Sequence, residues 1–226
     1  MVGSIRWEAD VYAKGKQLNH WPHSDVVSAV MRETAKSTRR DLSVLEIGCG
    51  AGNNIWFLLE AGFGASGIDI SPTAVHYARK RLGTLGFNEV DLRVGDLLNL
   101  PWDDNLFDIV VDRGALTQNT YEGICVALDE VHRVLKPEGK LFSFTLYGKQ
   151  HSDRRFGVEV TTNTYDHFTG GYFANVGLTS FFEETDIRRV FSKFSDLTII
   201  RQVSEFCGEG RVEEAFCVSG VKKKDG

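Results

Sequence analysis

The stretch VLEIGCGAGNNIWFLLEAG, residues 44–62, constrains the fold of this chain more than any other. It runs from an apolar segment through Gly48, Gly50 and Gly52 into a pattern with helical spacing. Glycines at every second position let the backbone approach a ligand where a Cβ would collide. The stretch therefore predicts a strand, a nucleotide-binding glycine loop and a helix, which together open a βαβ unit.

The segments around this loop continue the same alternation. Strand patterns lie at 43–47, 65–70, 90–96, 107–112 and 140–147, and helix patterns at 24–37, 53–61, 71–85 and 121–135. Because strands and helices alternate, the sequence predicts an α/β fold with a parallel sheet and helices on both faces.

The first 40 residues and the residues after 147 depart from this alternation of strands and helices. Residues 1–40 form an N-terminal cap segment, and 148–181 are an irregular insert, which is either a substrate lid or an ordinary surface excursion. A helix at 184–194 and strands at 197–206 and 212–220 follow. The short Gly208–Gly210 connection predicts an antiparallel pair, with 212–220 as an edge strand that could pair two copies in a homodimer. The oligomeric state stays open.

Length and composition favour a single domain, 1–226, in the cytoplasm. The chain has 226 residues, 42% of them hydrophobic, and a net charge of −5, which disfavours nucleic-acid and anionic-membrane partners. We see no signal-peptide core and no apolar stretch near the roughly 20 residues of a membrane span. Cysteines 49, 125, 207 and 217 lack metal-site spacing, so we expect reduced thiols and no metal. A nucleophilic Cys49 is the alternative.

The spacing of the glycine loop differs from the dinucleotide fingerprint. That fingerprint, G-x-G-x-x-G, needs a third glycine where this chain has Asn53. Glu46 lies two residues before the first glycine. Its carboxylate is unfavourable beside a pyrophosphate and suits a ligand with an ammonium group. The loop therefore favours a ligand that carries an ammonium group over NAD.

Acidic residues also follow the second and third strands. Asp69 stands where a carboxylate can accept hydrogen bonds from both hydroxyls of a ribose, although NAD-binding folds use an acid there too. Asp96 could accept from an adenine amine, with Ile70 and Leu97 supplying apolar surface to the ring. Acids after three successive strands favour one shared adenosine-type ligand.

Four motifs in order, VLEIGCGAG, GIDIS, LRVGDLLNLPW and FDIVVDRGAL, resemble the class I S-adenosylmethionine-dependent methyltransferases of small-molecule type. The resemblance covers residues 42–147, with a partial match at LKPEGK. It implies a Rossmann-like, seven-stranded, mostly parallel sheet of order 3-2-1-4-5-7-6 with an antiparallel last strand, and S-adenosylmethionine as cofactor. In related enzymes an N-terminal segment often covers the cofactor. The expected cofactor-binding residues are Glu46, Gly48, Cys49, Gly50, Gly52, Asp69, Ile70, Asp96, Leu97, Asp112 and Arg113.

The reaction that this resemblance implies is in-line methyl transfer to oxygen or nitrogen of a small molecule, such as a sugar or another metabolite. Alignment of acceptor and methyl group supplies most of the catalysis, and an oxygen acceptor also benefits from a base. Histidine suits that role because its pKa of about 6.5 allows proton transfer near neutrality. The candidate catalytic residues are Asp112, His20, His23, His151 and His167.

Other functions remain open. Residues 112–116 read DRGAL where methylases of exocyclic base amines carry [DNS]-P-P-[YFW], and the chain has no Pro-Cys pair for cytosine chemistry. The alternatives are a non-catalytic S-adenosylmethionine-binding module and a methyltransferase acting on protein or RNA. An aminopropyl-transferring or NAD-dependent enzyme on a related sheet is a further alternative.

Overall fold

The structure, a computed structural model, describes residues 7–174 and 176–223, so residues 1–6 of the cap segment lie outside the described part. The first five strands are β1 Ser43–Ile47, β2 Gly64–Asp69, β3 Asp91–Val94, β4 Phe107–Arg113 and β5 Leu135–Tyr147. All their pairings with one another are parallel, in the order β3-β2-β1-β4-β5. The predicted parallel sheet is confirmed.

The helices are α1 Ser24–Glu33, α2 Asn53–Glu60, α3 Pro72–Thr84, α4 Tyr121–Val134 and α5 Glu184–Val190. Local chemistry explains where they begin: the Ser71 hydroxyl accepts from the backbone of Ala74 ahead of Pro72, and the Thr120 hydroxyl accepts from Gly123. α1 is shorter than predicted because the chain leaves the helix at Thr34, whose hydroxyl bonds back to the carbonyl of Val30 at 2.8 Å.

The core lies on both faces of the sheet. Alternate residues of β4 belong to different apolar clusters: Val110 packs in the cluster that includes α4 and α5, whereas Ile109 and Val111 pack in the cluster that includes α1 and α2. Because strand side chains alternate between faces, this division shows that helices cover both sides of the sheet, as predicted.

Residues 148–181, which were predicted to form an irregular insert, contain regular secondary structure. They contain a second sheet of β6 Val158–Thr161, β7 Thr164–Asp166 and β8 Thr179–Ser180. Buried Phe168, Phe173 and Phe181 form a small core of their own beneath it. Sequence pattern missed these strands because they are very short and take their stability from aromatic packing.

The last two strands, β9 Phe194–Phe206 and β10 Arg211–Lys222, complete the seven-stranded sheet in the order β3-β2-β1-β4-β5-β10-β9. β10 runs antiparallel to both β5 and β9, which confirms the predicted architecture. The expectation that 212–220 is an edge strand is wrong, because β10 lies between β5 and β9 and the edge is β9. No helix in the described ranges is long and apolar enough to cross a membrane.

Candidate functional site

The glycine loop between β1 and α2 adopts a backbone that needs glycine. Gly48, Gly50 and Gly52 have φ of 68°, 49° and 73°, in the left-handed region that side chains disfavour. Space is short as well: a Cβ on Gly48 would lie 2.3 Å from Cβ of Ala115, and one on Gly50 would lie 2.5 Å from the hydroxyl of Tyr12. The loop therefore presents bare backbone beneath the cap segment.

Two cavities open at the carboxyl ends of the central strands, where ligands bind in open α/β sheets. The first, about 130 Å³, lies over β2 and β3, and the second, about 140 Å³, lies over β1 and α2. Both are lined by Tyr12, Gly48, Arg113, Gly114 and Gln118. The cavities are thus neighbouring halves of one cleft that meet at the glycine loop.

The first cavity contains the predicted adenosine-side residues Asp69, Ile70, Asp96 and Leu97. Asp69 is 7% exposed, and its two carboxyl oxygens accept from the backbone of Gly50 at 2.8 Å and of Ser71 at 2.9 Å. Burial raises the pKa of Asp69, and these two hydrogen bonds oppose the rise. Asp69 therefore braces the glycine loop and also faces the ligand cavity.

The second cavity contains Glu46 together with Cys49 and Gly50. Glu46 is 2% exposed; its Oε1 accepts from Nδ2 of Asn54 at 2.6 Å, and its Oε2 has no hydrogen-bond partner among the described residues. Burial raises the pKa of Glu46 to about 8, against the lowering effect of the Asn54 bond. A buried carboxyl with one unpaired oxygen suits a cationic ligand group.

Two predicted cofactor residues line neither cavity. Gly52 starts α2, and a Cβ there would lie 3.0 Å from Cβ of Ala78, so its glycine serves helix packing. Asp112 is fully buried: Oδ1 accepts from the backbone of Ala115 and Leu116, and Oδ2 accepts from the Ser143 hydroxyl at 2.7 Å. Burial raises its pKa to about 6. Asp112 therefore holds the loop after β4. Its buried position does not support the predicted roles of base and cofactor ligand.

Of the candidate histidines, the structure brings one to the cleft. His23 lines the second cavity, and burial, followed by the charge of Arg113, lowers its pKa. His151 is buried among aromatic rings, where its Nδ1 accepts from the backbone of Asp153 at 3.2 Å. His20 and His167 are exposed and line neither cavity. The positions of these three do not support the predicted role of base.

Two acidic residues in the described part of the cap segment bind residues near the cleft. Glu8 accepts from the hydroxyls of Ser71 and Thr73 at the start of α3. Asp25 accepts from Nε of Arg113 at 2.9 Å, and Arg113 also donates to the Thr145 hydroxyl. Tyr12 and His23 of this segment also line the cleft, a position from which the segment can cover the cofactor.

Sequence reasoning missed several residues of the second cavity: Gln17, Asn19, Asn54, Gln118, Thr145, Tyr147 and Tyr172. Tyr147 ends β5, so the rule that ligands lie at carboxyl ends of strands could have marked it. Asn54 and Thr145 lie in α2 and β5, and the rest come from the segments between elements and from the insert, for whose paths the sequence carries no signal.

A glycine loop, an acid at or near the carboxyl end of each of β1, β2 and β3, and a sheet with an antiparallel β10 define the class I fold that binds S-adenosylmethionine. Residues 38–164, more than half of the chain, match the family model described as a methyltransferase domain. The chain belongs to this family, the S-adenosylmethionine-dependent class I methyltransferases, and S-adenosylmethionine is its cofactor.

Known proteins show the same fold over much of the chain. An uncharacterized protein of Haemophilus influenzae is 27% identical over 76% of this chain and 68% of its own length. Phosphoethanolamine N-methyltransferase of Plasmodium falciparum is 27% identical over 59% of this chain, which spans half of that enzyme. A solved S-adenosylmethionine-dependent methyltransferase of Methanosarcina mazei superposes with a TM-score of 0.69 at 20% identity, over 85% of this chain and 98% of that one.

Proposed function

We propose that this protein methylates a small hydrophilic acceptor, at oxygen or nitrogen, and that the acceptor binds at the outer end of the second cavity. The observation that carries the proposal is the lining of that cavity beyond the glycine loop. It consists mainly of amide, hydroxyl, imidazole and guanidinium groups, from Gln17, Asn19, His23, Arg113, Thr145, Tyr147 and Tyr172. Such a surface suits a sugar or another polar metabolite better than an apolar one.

The residues present fit the cofactor across both cavities. Asp69 can accept from a ribose, and Asp96 with Leu97 borders the place of adenine in the first cavity. Across Gly48, the unpaired Oε2 of Glu46 can receive the ammonium of the methionine portion. S-adenosylmethionine supplies an activated sulfonium methyl group, so the protein contributes alignment and electrostatics.

His23 is the base that we propose for a hydroxyl acceptor. It lines the second cavity, and its lowered pKa keeps the imidazole neutral and able to take a proton at neutral pH. An amine acceptor would need orientation more than a base. Asp25 and Arg113, an ion pair at 2.9 Å, hold the first turn of α1, directly after His23, against the cavity.

The insert completes the acceptor end. Tyr172 and Val176 of the insert line the second cavity, and the Tyr172 ring lies 6.2 Å from that of Tyr147. The backbone of Tyr172 is held by the Asp153 carboxyl at 2.9 Å, so this wall has a defined position. We therefore propose that 148–181 is a substrate lid.

The size of the cleft and the name of one relative support a small acceptor. A cavity of about 140 Å³ has room for a metabolite and little for a protein or RNA segment. The Plasmodium relative is named for phosphoethanolamine, itself small and polar. All four cysteines are free, in keeping with the cytoplasmic location that we also propose.

Titration calorimetry with S-adenosylmethionine, S-adenosylhomocysteine and NAD tests the cofactor half of the proposal. We expect the adenosyl ligands to bind the wild type, and Asp69→Ala to weaken them by about tenfold to hundredfold, since a charge-assisted ribose contact and the Gly50 brace are lost. The exposed Asp103→Ala is the matched control. Binding of NAD alone would overturn the assignment.

Transfer of a labelled methyl group to a panel of sugars, hydroxy acids and phosphorylated amines tests the acceptor half. Turnover confined to hydrophilic acceptors is expected. Turnover only on quinones, lipids, RNA or protein would refute the acceptor class. Tight cofactor binding with no turnover on any of them would favour the non-catalytic module.

A further inference from the structure

Asn54, the second residue of α2, uses both ends of its side-chain amide inside the cleft. It is 1% exposed and lines the second cavity. Its Oδ1 accepts from the backbone N–H of His23 at 2.9 Å, and its Nδ2 donates to Oε1 of Glu46 at 2.6 Å. One buried side chain thus joins the turn that carries the proposed base to the carboxyl that faces the cofactor ammonium.

The chemistry of these bonds leaves the amide one orientation. A backbone N–H can only donate, so Oδ1 must face His23 and Nδ2 must face Glu46. Oε1 of Glu46 is then occupied by an N–H donor, so a proton on this carboxyl resides on Oε2. Asn54 therefore determines which oxygen of Glu46 is left unpaired.

A neighbouring residue provides an internal comparison. Asn53 holds the same part of the cap segment, because its Nδ2 donates to the carbonyl of Trp21 at 3.0 Å. It also donates to Oδ1 of Asn54 at 3.5 Å, but it makes no hydrogen bond to Glu46 among the described residues. If both asparagines only anchored the cap segment, replacing either one should have the same effect on cofactor binding. Their partners differ, because only Asn54 bonds Glu46.

We infer that Asn54 is a positioning residue that couples occupancy of the cofactor-ammonium site at Glu46 to the His23 turn of the cap segment. The inference rests on the proposed function. When a cation meets Oε2, the carboxyl becomes ionised, and the bond from Asn54 becomes charge-assisted and stronger. The same amide then holds His23 more firmly, so the acceptor side is ordered once the cofactor is in place.

The charged surroundings of Glu46 set the pH range of this coupling. Asp69 at the end of β2 and Asp112 on β4 raise the pKa of Glu46, and Arg113 on β4 lowers it. Tyr12 and Cys49 also face it, and burial raises the pKa of both well above ordinary values, so they are neutral at pH 7. Cofactor binding near neutrality therefore requires Glu46 to release its proton.

Substitution to Asn54→Asp separates the two bonds. It keeps the acceptor for His23 and replaces the donor to Glu46 with a second carboxyl oxygen, which raises the pKa of Glu46 further. Calorimetry with S-adenosylhomocysteine between pH 6 and 8.5 measures the result. We expect affinity at pH 7 to fall at least tenfold and the midpoint of its pH dependence to move up by about one unit. Asn53→Ala should keep the wild-type midpoint.

Hydrogen exchange at the His23 amide gives a second test of the coupling. S-adenosylhomocysteine should slow exchange of the His23 amide more than that of its neighbours in the cap segment, and Asn54→Leu should lose this protection. An unprotected His23 amide in the bound wild type, or an Asn54→Asp variant with wild-type affinity and midpoint, overturns the inference and leaves the proposed function standing. Failure of the wild type to bind refutes the proposed function itself.

Discussion

Replacement of Glu46 by glutamine should stabilise the protein at alkaline pH and weaken its cofactor binding. The pKa of Glu46 is about 8 in the folded protein against an ordinary 4.5. The folded state therefore holds a proton that the unfolded chain releases between these values. Because the folded state binds more protons, stability is full below about pH 4.5 and falls as pH rises to 8.

The size of the effect follows from the two pKa values. Each unit of difference corresponds to about 1.4 kcal/mol, so the wild type loses on the order of 3 to 4 kcal/mol between pH 4.5 and pH 8 from this residue. The glutamine side chain of the variant stays neutral and can still accept from Asn54 Nδ2. We therefore expect Glu46→Gln to melt higher than wild type by roughly 6–16 °C at pH 8 and nearly equally at pH 5.

Thermal melts at pH 5, 6, 7 and 8, with calorimetric titration of S-adenosylhomocysteine, measure both halves. Glu60→Gln, on the exposed end of α2, is the control and should follow the wild-type slope. If Glu46→Gln shows the same loss of stability with pH as the wild type, the buried proton is not on Glu46. If it binds S-adenosylhomocysteine as tightly as wild type, Oε2 is not the ammonium site.

Three further substitutions test the cap, the base and the lid. Gly50→Ala should lower S-adenosylhomocysteine affinity at least tenfold, because its Cβ would lie 2.5 Å from the Tyr12 hydroxyl. The control is Gly62→Ala, since Gly62 also has a positive φ but no atom lies within 4 Å of its Cβ position, and this variant should bind normally. His23→Asn should cut turnover on a hydroxyl acceptor by about a hundredfold, leaving affinity for S-adenosylhomocysteine unchanged; an unchanged turnover would exclude His23 as the base. Tyr172→Ala, whose ring is 59% exposed, should raise the acceptor KM about tenfold without a change in thermal stability, and an unchanged KM would contradict the lid.

The parallel core and its glycine loop were readable from sequence because their signals are local. Val44, Leu45 and Ile47 form a short apolar run, and the conformations of Gly48 and Gly50 follow from the chain itself. The order of the sheet required the family resemblance, since strand patterns carry no information on which strands become neighbours.

The acids of the site show where local reasoning stops. Asp69 is the last residue of β2 and Asp112 the last but one of β4, and sequence assigned both to the ligand. The structure separates them, because the chain after β4 turns back and donates two backbone N–H groups to Asp112, whereas Asp69 still faces a cavity. A strand-end carboxyl is available to a ligand only when the following loop leaves it so.

The amino-acid sequence by itself determined the alternation of strands and helices, the glycine loop and four residues that line the first cavity, because these features are set within short stretches of chain. The set of residues that lines the second cavity is determined by the tertiary structure alone. His23, Asn54, Arg113 and Tyr172 come from the cap segment, α2, β4 and the insert, and they meet only after the sheet forms. Contacts between residues so distant in sequence depend on packing and loop paths, which no local pattern encodes.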